Sequence, residues 1–218
     1  MIPNLTIPVL NRYDLLARCL DSIDFPIGHL LIVNNGKEYP SHIEQPRTVR
    51  KLTRLDMPSN FGVSASWNLG IKSFRHHAVW FFASNDMVFG PGALEQLYAA
   101  ARPDALTLTE MFPHFHAFAV GEEAIRQVGL FDENIYPAFE EDIEFLGRFG
   151  RTGLPLVKVP IATLHDNSST INSDTRFRDA NVVTHPENRR YREMKEAGLL
   201  PLVEPKWSLQ RWRKHDWQ

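Results

Sequence analysis

Residues 79–86 read VWFFASND, and this stretch decides the fold. The run Val79–Ala83 is apolar and holds three aromatic side chains, which is typical of a buried strand. The polar triplet Ser84-Asn85-Asp86 follows at once and predicts that the strand ends in a turn. A helical apolar spacing over residues 64–74 precedes the strand, and Pro91 fits the first turn of a helix that follows it. A strand between two helices indicates a parallel sheet with helices on its faces.

The same alternation extends through the N-terminal half. We predict strands at residues 5–10, 29–33 and 49–55, and a helix at 13–23 that is capped by Asn11. In the more mixed second half we predict strands at 105–109, 116–120 and 156–159, helices at 122–128, 139–149 and 186–197, and a polar loop at 166–179. The sequence therefore predicts the α/β class, with a mostly parallel central sheet flanked by helices.

Composition narrows the class of protein. A hydrophobic fraction of 43% with 23% charged residues is that of an ordinary globular chain, and a net charge of −2 gives no overall basic field for a dedicated nucleic-acid binder. The single cysteine, Cys19, excludes an intramolecular disulfide and a cysteine-based zinc cluster. The first residues lack a signal-peptide pattern, and no apolar run approaches the ~20 residues of a membrane span, so we expect a cytoplasmic protein.

Motifs of several common enzyme classes are missing from the sequence. It contains no Walker loop, no Gly-x-Gly-x-x-Gly after the first strand and no Gly-x-Ser-x-Gly elbow. P-loop phosphotransferases, dinucleotide oxidoreductases and serine hydrolases are therefore disfavoured.

Polar residues that follow predicted strands are the first site candidates, because ligands bind beyond the carboxyl ends of parallel strands. These residues are Asn11, Asn34 and the Ser84–Asp86 triplet. The Asp86 carboxylate suits a hard divalent cation that neutralises a diphosphate, although an Asn-Asp pair also commonly opens a turn. His165, after a predicted strand, suits a metal through a neutral ring nitrogen, or is simply hydrogen-bonded.

Acidic residues cluster at the predicted start of the helix at 139–149. Glu140, Glu141 and Asp142 are consecutive, and Glu144 follows. Such acids are favourable at a helix N-terminus, which is a complete structural explanation. Their mutual repulsion also raises at least one pKa, which suits a general base.

Two further patterns are weaker. His114 and His116 lie two apart on a predicted strand and would share one face, where they would flank an acceptor or add a metal ligand. Asn60 and Gly62 stand at a helix start, where Gly62 lets the backbone approach a ligand and Asn60 caps the helix.

In their order along the chain, these motifs resemble the family 2 glycosyltransferases, particularly the rhamnosyltransferase-like members of the GT-A fold. The matching blocks are Ile7–Arg12, Leu31–Gly36, Asn60–Gly70, Trp80–Leu94 and Val128–Glu133 with Phe139–Glu144, followed by Val157–Pro160 and His165. The resemblance spans Leu5 to His165. It implies one GT-A domain over residues 1–205, with a Rossmann-like nucleotide-sugar half at about 1–104 and an acceptor-binding, catalytic half at about 105–205.

The resemblance also implies roles for individual residues. Asp86 and His165 would hold Mn²⁺ or Mg²⁺, and Asp142 would be the general base, with Glu141 as the second candidate. The implied donor-binding residues are Pro8, Asn11, Asn34, Asn60, Gly62, Asn68, Asn85, Ser168, Ser169 and Thr170. The donor would be a nucleoside-diphosphate sugar, and the family inverts the anomeric centre by direct displacement.

Two positions depart from the family pattern. Asn34 stands where the family commonly has an aspartate that contacts the nucleobase, which puts a uridine preference in doubt. Ser84 replaces the first acid of the metal-binding triplet, so that Asp86 is its only carboxylate.

Other functions and the acceptor stay open. The rival functions are a nucleotidyltransferase and a non-catalytic nucleotide-sugar-binding protein. The acceptor would be a glycan or a hydroxylated nucleic-acid base. Residues 206–218 form a basic tail with three tryptophans, which would contact DNA, contact an anionic membrane peripherally, or pack back onto the domain.

Overall fold

A computed structural model describes residues 1–110, 114–166 and 169–200, and gives only the backbone of His114, Thr170 and Ile171. In this part of the chain the strands are β1 (Ile2–Val9), β2 (Ile27–Asn34), β3 (Val49–Asp56), β4 (Val79–Ala83), β5 (Met87–Phe89), β6 (Leu106–Thr109), β7 (Ala117–Gly121), β8 (Leu156–Val159) and β9 (Thr163–His165). The helices are α1 (Tyr13–Asp21), α2 (Gly62–Ser73), α3 (Ala93–Ala100), α4 (Glu122–Val128), α5 (Glu141–Phe149), α6 (Ser169–Asn172) and α7 (Thr175–Glu196), with a 3₁₀ turn at His114–His116.

The central sheet has the strand order β3-β2-β1-β4-β7-β6-β8. Strands β1, β2, β3 and β4 run parallel to one another, β7 is antiparallel to both β4 and β6, and β6 and β8 are parallel. A separate two-stranded sheet pairs β5 with β9. The predicted α/β class with a mostly parallel central sheet flanked by helices is confirmed.

Strand β4 shows how the sheet divides the core into two layers. Phe81 and Ala83 pack in one apolar cluster with α1 and α3, whereas Trp80 and Phe82 pack in the other with α2, α4 and α5. This follows from the period of two along a strand, which sends alternate side chains to opposite faces. Cys19 of α1 is fully buried in the first layer, as the sequence predicts. None of the helices in the described ranges is long and apolar enough to cross a membrane.

The prediction for the C-terminal segment was partly wrong. Residues 166–179 were expected to be a loop, but α6 lies within them and α7 begins at Thr175 rather than Pro186. Asp174 caps α7, because its carboxylate accepts a hydrogen bond from the Arg176 N–H at 2.8 Å. Pro186 therefore lies inside the helix, where it removes one donor without ending it.

Two local predictions were also wrong. Arg12, in the left-handed conformation at φ 53°, is the N-cap residue of α1, and Asn11 instead donates a hydrogen bond to Ser173 Oγ at 2.9 Å. His114 and His116 lie in the 3₁₀ turn before β7, so they do not share one face of a strand.

Candidate functional site

A cavity of about 250 Å³ lies at the carboxyl ends of β1 and β4. Seven of the predicted site residues line it: Pro8, Asn60, Gly62, Asn85, Asp86, His165 and Ser169. Ser84, which departs from the family pattern, also lines it. The strand-end rule points to this same edge of the sheet.

Asp86 and His165 meet at one wall of the cavity. Asp86 Oδ1 lies 3.1 Å from His165 Nε2, and Ser169 Oγ donates a hydrogen bond to Asp86 Oδ2 at 2.8 Å. Asp86 meets His165 because β5 pairs with β9. This pairing sets Met87 opposite His165 and so brings the adjacent Asp86 close to the imidazole. Both the Asp86 and the His165 side chains are 10% exposed, so this pair faces the cavity from a largely buried position.

The Asp86–His165 pair fits a divalent cation as two of its ligands. One carboxylate oxygen and one imidazole nitrogen, 3.1 Å apart at the cavity wall, are donor atoms of the kind that a divalent cation would take. No group of three or more protein ligands occurs in the described ranges, so the other positions would belong to substrate and water. The lining residues of the described chain include no lysine or arginine.

His116 supports His165 from behind instead of facing the cavity. The two rings stack with centroids 5.1 Å apart and planes 18° apart. His116 is 2% exposed, and its Nε2 lies 3.1 Å from Thr163 Oγ1. His165 Nδ1 is itself buried and has no hydrogen-bond partner among the described residues, and the ring contacts His116 by stacking and Asp86 through Nε2.

The three consecutive acids before and within α5 occupy different environments. Glu140 is 4% exposed, and although burial alone would raise its pKa, hydrogen bonds from Arg192, His185 and Arg189 lower it. Glu141 is 7% exposed, and within the described part of the chain its Oε2 has no hydrogen-bond partner. Burial, with the charges of Asp142 and Glu140, raises the pKa of Glu141 to about 8.

Asp142 is half-buried at the first turn of α5. Its Oδ1 accepts a hydrogen bond from the Ile143 N–H at 2.8 Å, which fixes the carboxylate at the helix N-terminus. Neither Glu141 nor Asp142 is among the described residues that line the cavity, but Pro137, Ala138 and Phe139, just before them in the chain, are.

Asn34 does not line the cavity, because its amide is fully engaged within the protein. Its Oδ1 accepts from the Tyr13 hydroxyl at 2.8 Å and from the Gly36 N–H at 3.2 Å. Its Nδ2 donates to Asp56 Oδ1 at 2.8 Å and to the Lys37 carbonyl at 2.9 Å. The neighbouring Asn35 lines the cavity instead.

Asn68 and Gly70 of the third motif hold α2 in place. Asn68 Nδ2 donates to the Phe131 carbonyl at 2.9 Å, and the Phe131 N–H donates back to Asn68 Oδ1 at 3.0 Å. A Cβ at Gly70 would lie 2.4 Å from Thr6 Oγ1, so the glycine allows α2 to approach β1 closely. Asn68 therefore positions the helix and, like Asn11, is not part of the described cavity lining.

Sequence reasoning missed several lining residues. Three come from α7, whose Phe177, Ala180 and Asn181 line the cavity in a segment predicted to be a loop or left unassigned, and three more are Pro137, Ala138 and Phe139. Trp67 was predicted only as an apolar position of a helix. Nothing in the sequence indicates that its side chain also lines the cavity. Ser168, the side chains of Thr170 and His114, and the tail at 206–218 lie outside the described residues.

Comparison with known proteins identifies the fold. No family model matches the chain, and no curated protein matches it by sequence. S. aureus TarS is similar in structure at 12% identity and a TM-score of 0.58, over 73% of this chain and 35% of that chain. GalNAc-T7 with UDP, GalNAc and Mn²⁺ is similar at 12% identity and a TM-score of 0.59, over 98% and 54%. TarS 1–349 in complex with UDP-GlcNAc is similar at 12% identity and a TM-score of 0.53, over 78% and 61%.

These solved structures are GT-A glycosyltransferases, and the chain shares their α/β fold. At 12% identity the likeness concerns the fold alone. The chain spans 35% to 61% of the length of these proteins.

Proposed function

We propose that this chain is a glycosyltransferase that moves a sugar from a nucleoside-diphosphate sugar to an acceptor hydroxyl, with inversion and with a divalent cation. The observation that carries the proposal is the Asp86–His165 pair, 3.1 Å apart, in a cavity at the carboxyl ends of β1 and β4 of a GT-A fold. The order of motifs also supports membership of the family 2, rhamnosyltransferase-like group.

The donor would occupy the cavity. Solved neighbours hold UDP, UDP-GlcNAc and Mn²⁺, which supports a nucleotide-sugar donor here. Asp86 and His165 would hold Mn²⁺ or Mg²⁺, and the bound ion would neutralise charge on the departing diphosphate. The proposed donor contacts that line the cavity are Pro8, Asn35, Asn60, Gly62, Asn85 and Ser169.

Asp142 is the proposed general base, and Glu141 is the second candidate. Direct displacement needs one group that takes the acceptor proton, and it forms no covalent intermediate. With its pKa raised to about 8, Glu141 keeps its proton at neutral pH and cannot accept another, which favours Asp142. The acceptor would meet this base from the half of the domain after residue 104, and it would be a glycan or a hydroxylated nucleic-acid base.

A thermal-shift panel tests donor binding. Nucleoside diphosphates and their sugars are added with Mn²⁺ or with a chelator to the wild type, to Asp86→Asn and to the control Asp21→Asn, which changes an exposed acid on α1. At one hundred times Kd we expect Mn²⁺-dependent stabilisation of about 5 to 10 °C in the wild type and the control, and its loss in Asp86→Asn. A folded wild type that no nucleotide stabilises would contradict the proposal.

Turnover separates the enzyme from a protein that only binds nucleotide sugars. With the donor from the panel, release of the nucleoside diphosphate is measured with candidate glycan and hydroxylated-base acceptors. We expect Asp142→Asn to lower the rate about 100-fold or more while donor affinity stays within twofold. Binding without release by the wild type would favour the non-catalytic alternative, and release of pyrophosphate from a nucleoside triphosphate with a sugar phosphate would favour a nucleotidyltransferase.

A further inference from the structure

Helix α7 is unusual in how it is held. It is 22 residues long, yet Asn188 is the one buried residue among its described side chains. A surface helix is ordinarily held by an apolar stripe packed on the core, so a helix of this polarity depends on specific polar contacts. Those contacts concentrate on the segment 136–140, which leads into the acids of α5.

Asn188 binds three backbone groups of that segment. Its Nδ2 donates to the carbonyls of Ala138 at 3.0 Å and Phe139 at 3.2 Å, and its Oδ1 accepts from the Tyr136 N–H at 3.3 Å. Asn188 is 5% exposed, so these bonds are shielded from water. A buried side chain that satisfies three backbone groups of one loop fixes the path of that loop.

The same segment has an unfavourable backbone conformation. Phe139 and Glu140 are consecutive non-glycine residues with φ of 69° and 78°, in the left-handed region. A non-glycine residue in this region is strained and persists only where its surroundings impose the conformation. Besides Asn188, helix α7 supplies His185, whose ring stacks on Phe139 at 5.0 Å, and Arg192, whose Nε lies 2.7 Å from Glu140 Oε2.

Residues of the 136–140 segment and of α7 both line the cavity. Pro137, Ala138 and Phe139 line it from one side, and Phe177, Ala180 and Asn181 of α7 line it as well. One helix thus forms part of the wall and also holds the segment that precedes Glu141 and Asp142.

We infer that Asn188 is a positioning residue for the nucleotide-sugar site. It holds the 136–140 segment, in which Phe139 and Glu140 are left-handed, so that Phe139 stays in the cavity wall and the acids of α5 keep their position after it. Without its three hydrogen bonds the strained segment relaxes, and the cavity loses its shape on that side. The identity of the ligand rests on the proposed function. The claim that Asn188 holds the segment rests on the observed hydrogen bonds alone.

The test combines amide hydrogen exchange with donor titration in four variants. Asn188→Ala removes all three bonds, and Asn188→Asp keeps an acceptor for the Tyr136 N–H but loses the donor. Arg190→Ala changes an exposed neighbour on α7, and Ile125→Val lowers stability from the core, away from the cavity lining. Hydrogen exchange is read on peptides covering 136–140, and affinity is read by calorimetry with UDP and UDP-GlcNAc in Mn²⁺.

For Asn188→Ala we expect at least tenfold faster exchange in 136–140 and at least tenfold weaker nucleotide binding. Asn188→Asp sets a buried carboxylate oxygen against the two carbonyl oxygens and should be at least as severe as Asn188→Ala, while Arg190→Ala and Ile125→Val should stay within about twofold of the wild type in both readouts. Unchanged exchange would overturn the inference, and so would faster exchange with unchanged affinity, because Asn188 would then stabilise the loop without serving the site. If the wild type binds neither nucleotide, affinity is measured with the nucleoside diphosphate that the thermal-shift panel selects. If the panel selects none, the proposed function fails, and exchange alone still decides whether Asn188 holds the segment.

Discussion

The carboxyl of Glu141 is a buried acid whose Oε2 lacks a hydrogen-bond partner in the described ranges, and burial raises its pKa to about 8. The folded protein therefore keeps this proton up to about pH 8, whereas the unfolded chain loses it near the ordinary value of 4.5. Between these values the folded state binds more protons, so the free energy of unfolding falls as the pH rises.

Replacing Glu141 by glutamine should remove this pH dependence. Glutamine cannot ionise, so the stability of Glu141→Gln relative to the wild type should increase from pH 5 to pH 8, by an amount on the order of 2–4 kcal/mol. Urea unfolding at pH 5, 6.5 and 8 measures the difference. The control Glu38→Gln removes an exposed carboxylate and should follow the wild type. A constant difference between Glu141→Gln and the wild type would show that Glu141 is ionised throughout this range.

Gly62 offers a second test at the scale of one residue. Its φ is +82°, and a Cβ there would lie 2.8 Å from the Pro137 carbonyl oxygen, within the segment that lines the cavity. Gly153 has a similar φ of +73° with nothing within 4 Å of an added Cβ. Gly153→Ala should therefore cost only the backbone strain, about 1 kcal/mol, and Gly62→Ala at least twice as much.

Urea unfolding and nucleotide affinity distinguish the two glycine variants. Gly62→Ala should also weaken nucleotide binding several-fold, because the Cβ pushes Pro137 away from its place in the wall, whereas Gly153→Ala should leave affinity unchanged. Equal losses of stability, with equal affinities, would mean that the Pro137 segment adapts freely to the new methyl group.

Residue roles could be predicted where position after a strand decides them. Asp86 and Asn85 follow β4 directly, and both line the cavity. Asn34 also stands at a strand end, but it does not line the cavity, because its side-chain amide is hydrogen-bonded to Tyr13 and Asp56. Partners so far away in sequence leave no signal in the local pattern. Where two polar residues end a strand, the sequence alone does not tell which one turns inward, and here it is Asn35 that lines the cavity.

At the scale of elements, a charge cluster around Glu140 joins α7 to the segment that leads into α5. Glu140, with a side chain 3% exposed, meets His185 at 3.0 Å, Arg189 at 3.2 Å and Arg192 at 2.7 Å. Removing one partner of such a buried cluster leaves charges without compensation, which costs several kcal/mol. An exposed pair contributes far less, because water screens it.

Glu140→Ala should lower the free energy of unfolding by about 3 kcal/mol. The matched control is Glu193→Ala, which removes an exposed carboxylate 3.8 Å from the same Arg192 and should cost less than about 1 kcal/mol. Chemical denaturation of both variants at neutral pH gives the comparison. If the two losses are equal, the buried cluster does not hold α7 against the 136–140 segment.

Element prediction succeeded where apolar periodicity was strong. Strands β4 and β8 and helix α4 have the predicted bounds. Strands β5 and β9 have three residues each, too few to establish an alternation, yet their pairing brings His165 to Asp86. Helix α7 buries so little apolar surface that its first half shows no helical stripe, so its true start at Thr175 could not be read from the pattern.

At the scale of the molecule, the cavity follows from the parallel arrangement. Strands β1, β2, β3 and β4 run in one direction, so their carboxyl ends share an edge, and the turns after β1, β2 and β4 supply Leu10, Asn35 and Asp86 to the lining. Strand alternation was enough to predict this edge. The far wall, formed by α7 and residues 137–139, depends on long-range contacts such as those of Asn188, which no local pattern indicates.

The central claim is that this cavity binds a nucleoside diphosphate through a divalent cation on Asp86 and His165. Calorimetric titration of UDP into the wild type and into Asp86→Asn, each with Mn²⁺ and with a chelator, tests it most directly. We predict binding to the wild type with a Kd between about 1 µM and 1 mM in Mn²⁺, and at least tenfold weaker binding with the chelator or in Asp86→Asn. Equal affinity with and without Mn²⁺, or equal affinity in Asp86→Asn, would contradict the claim.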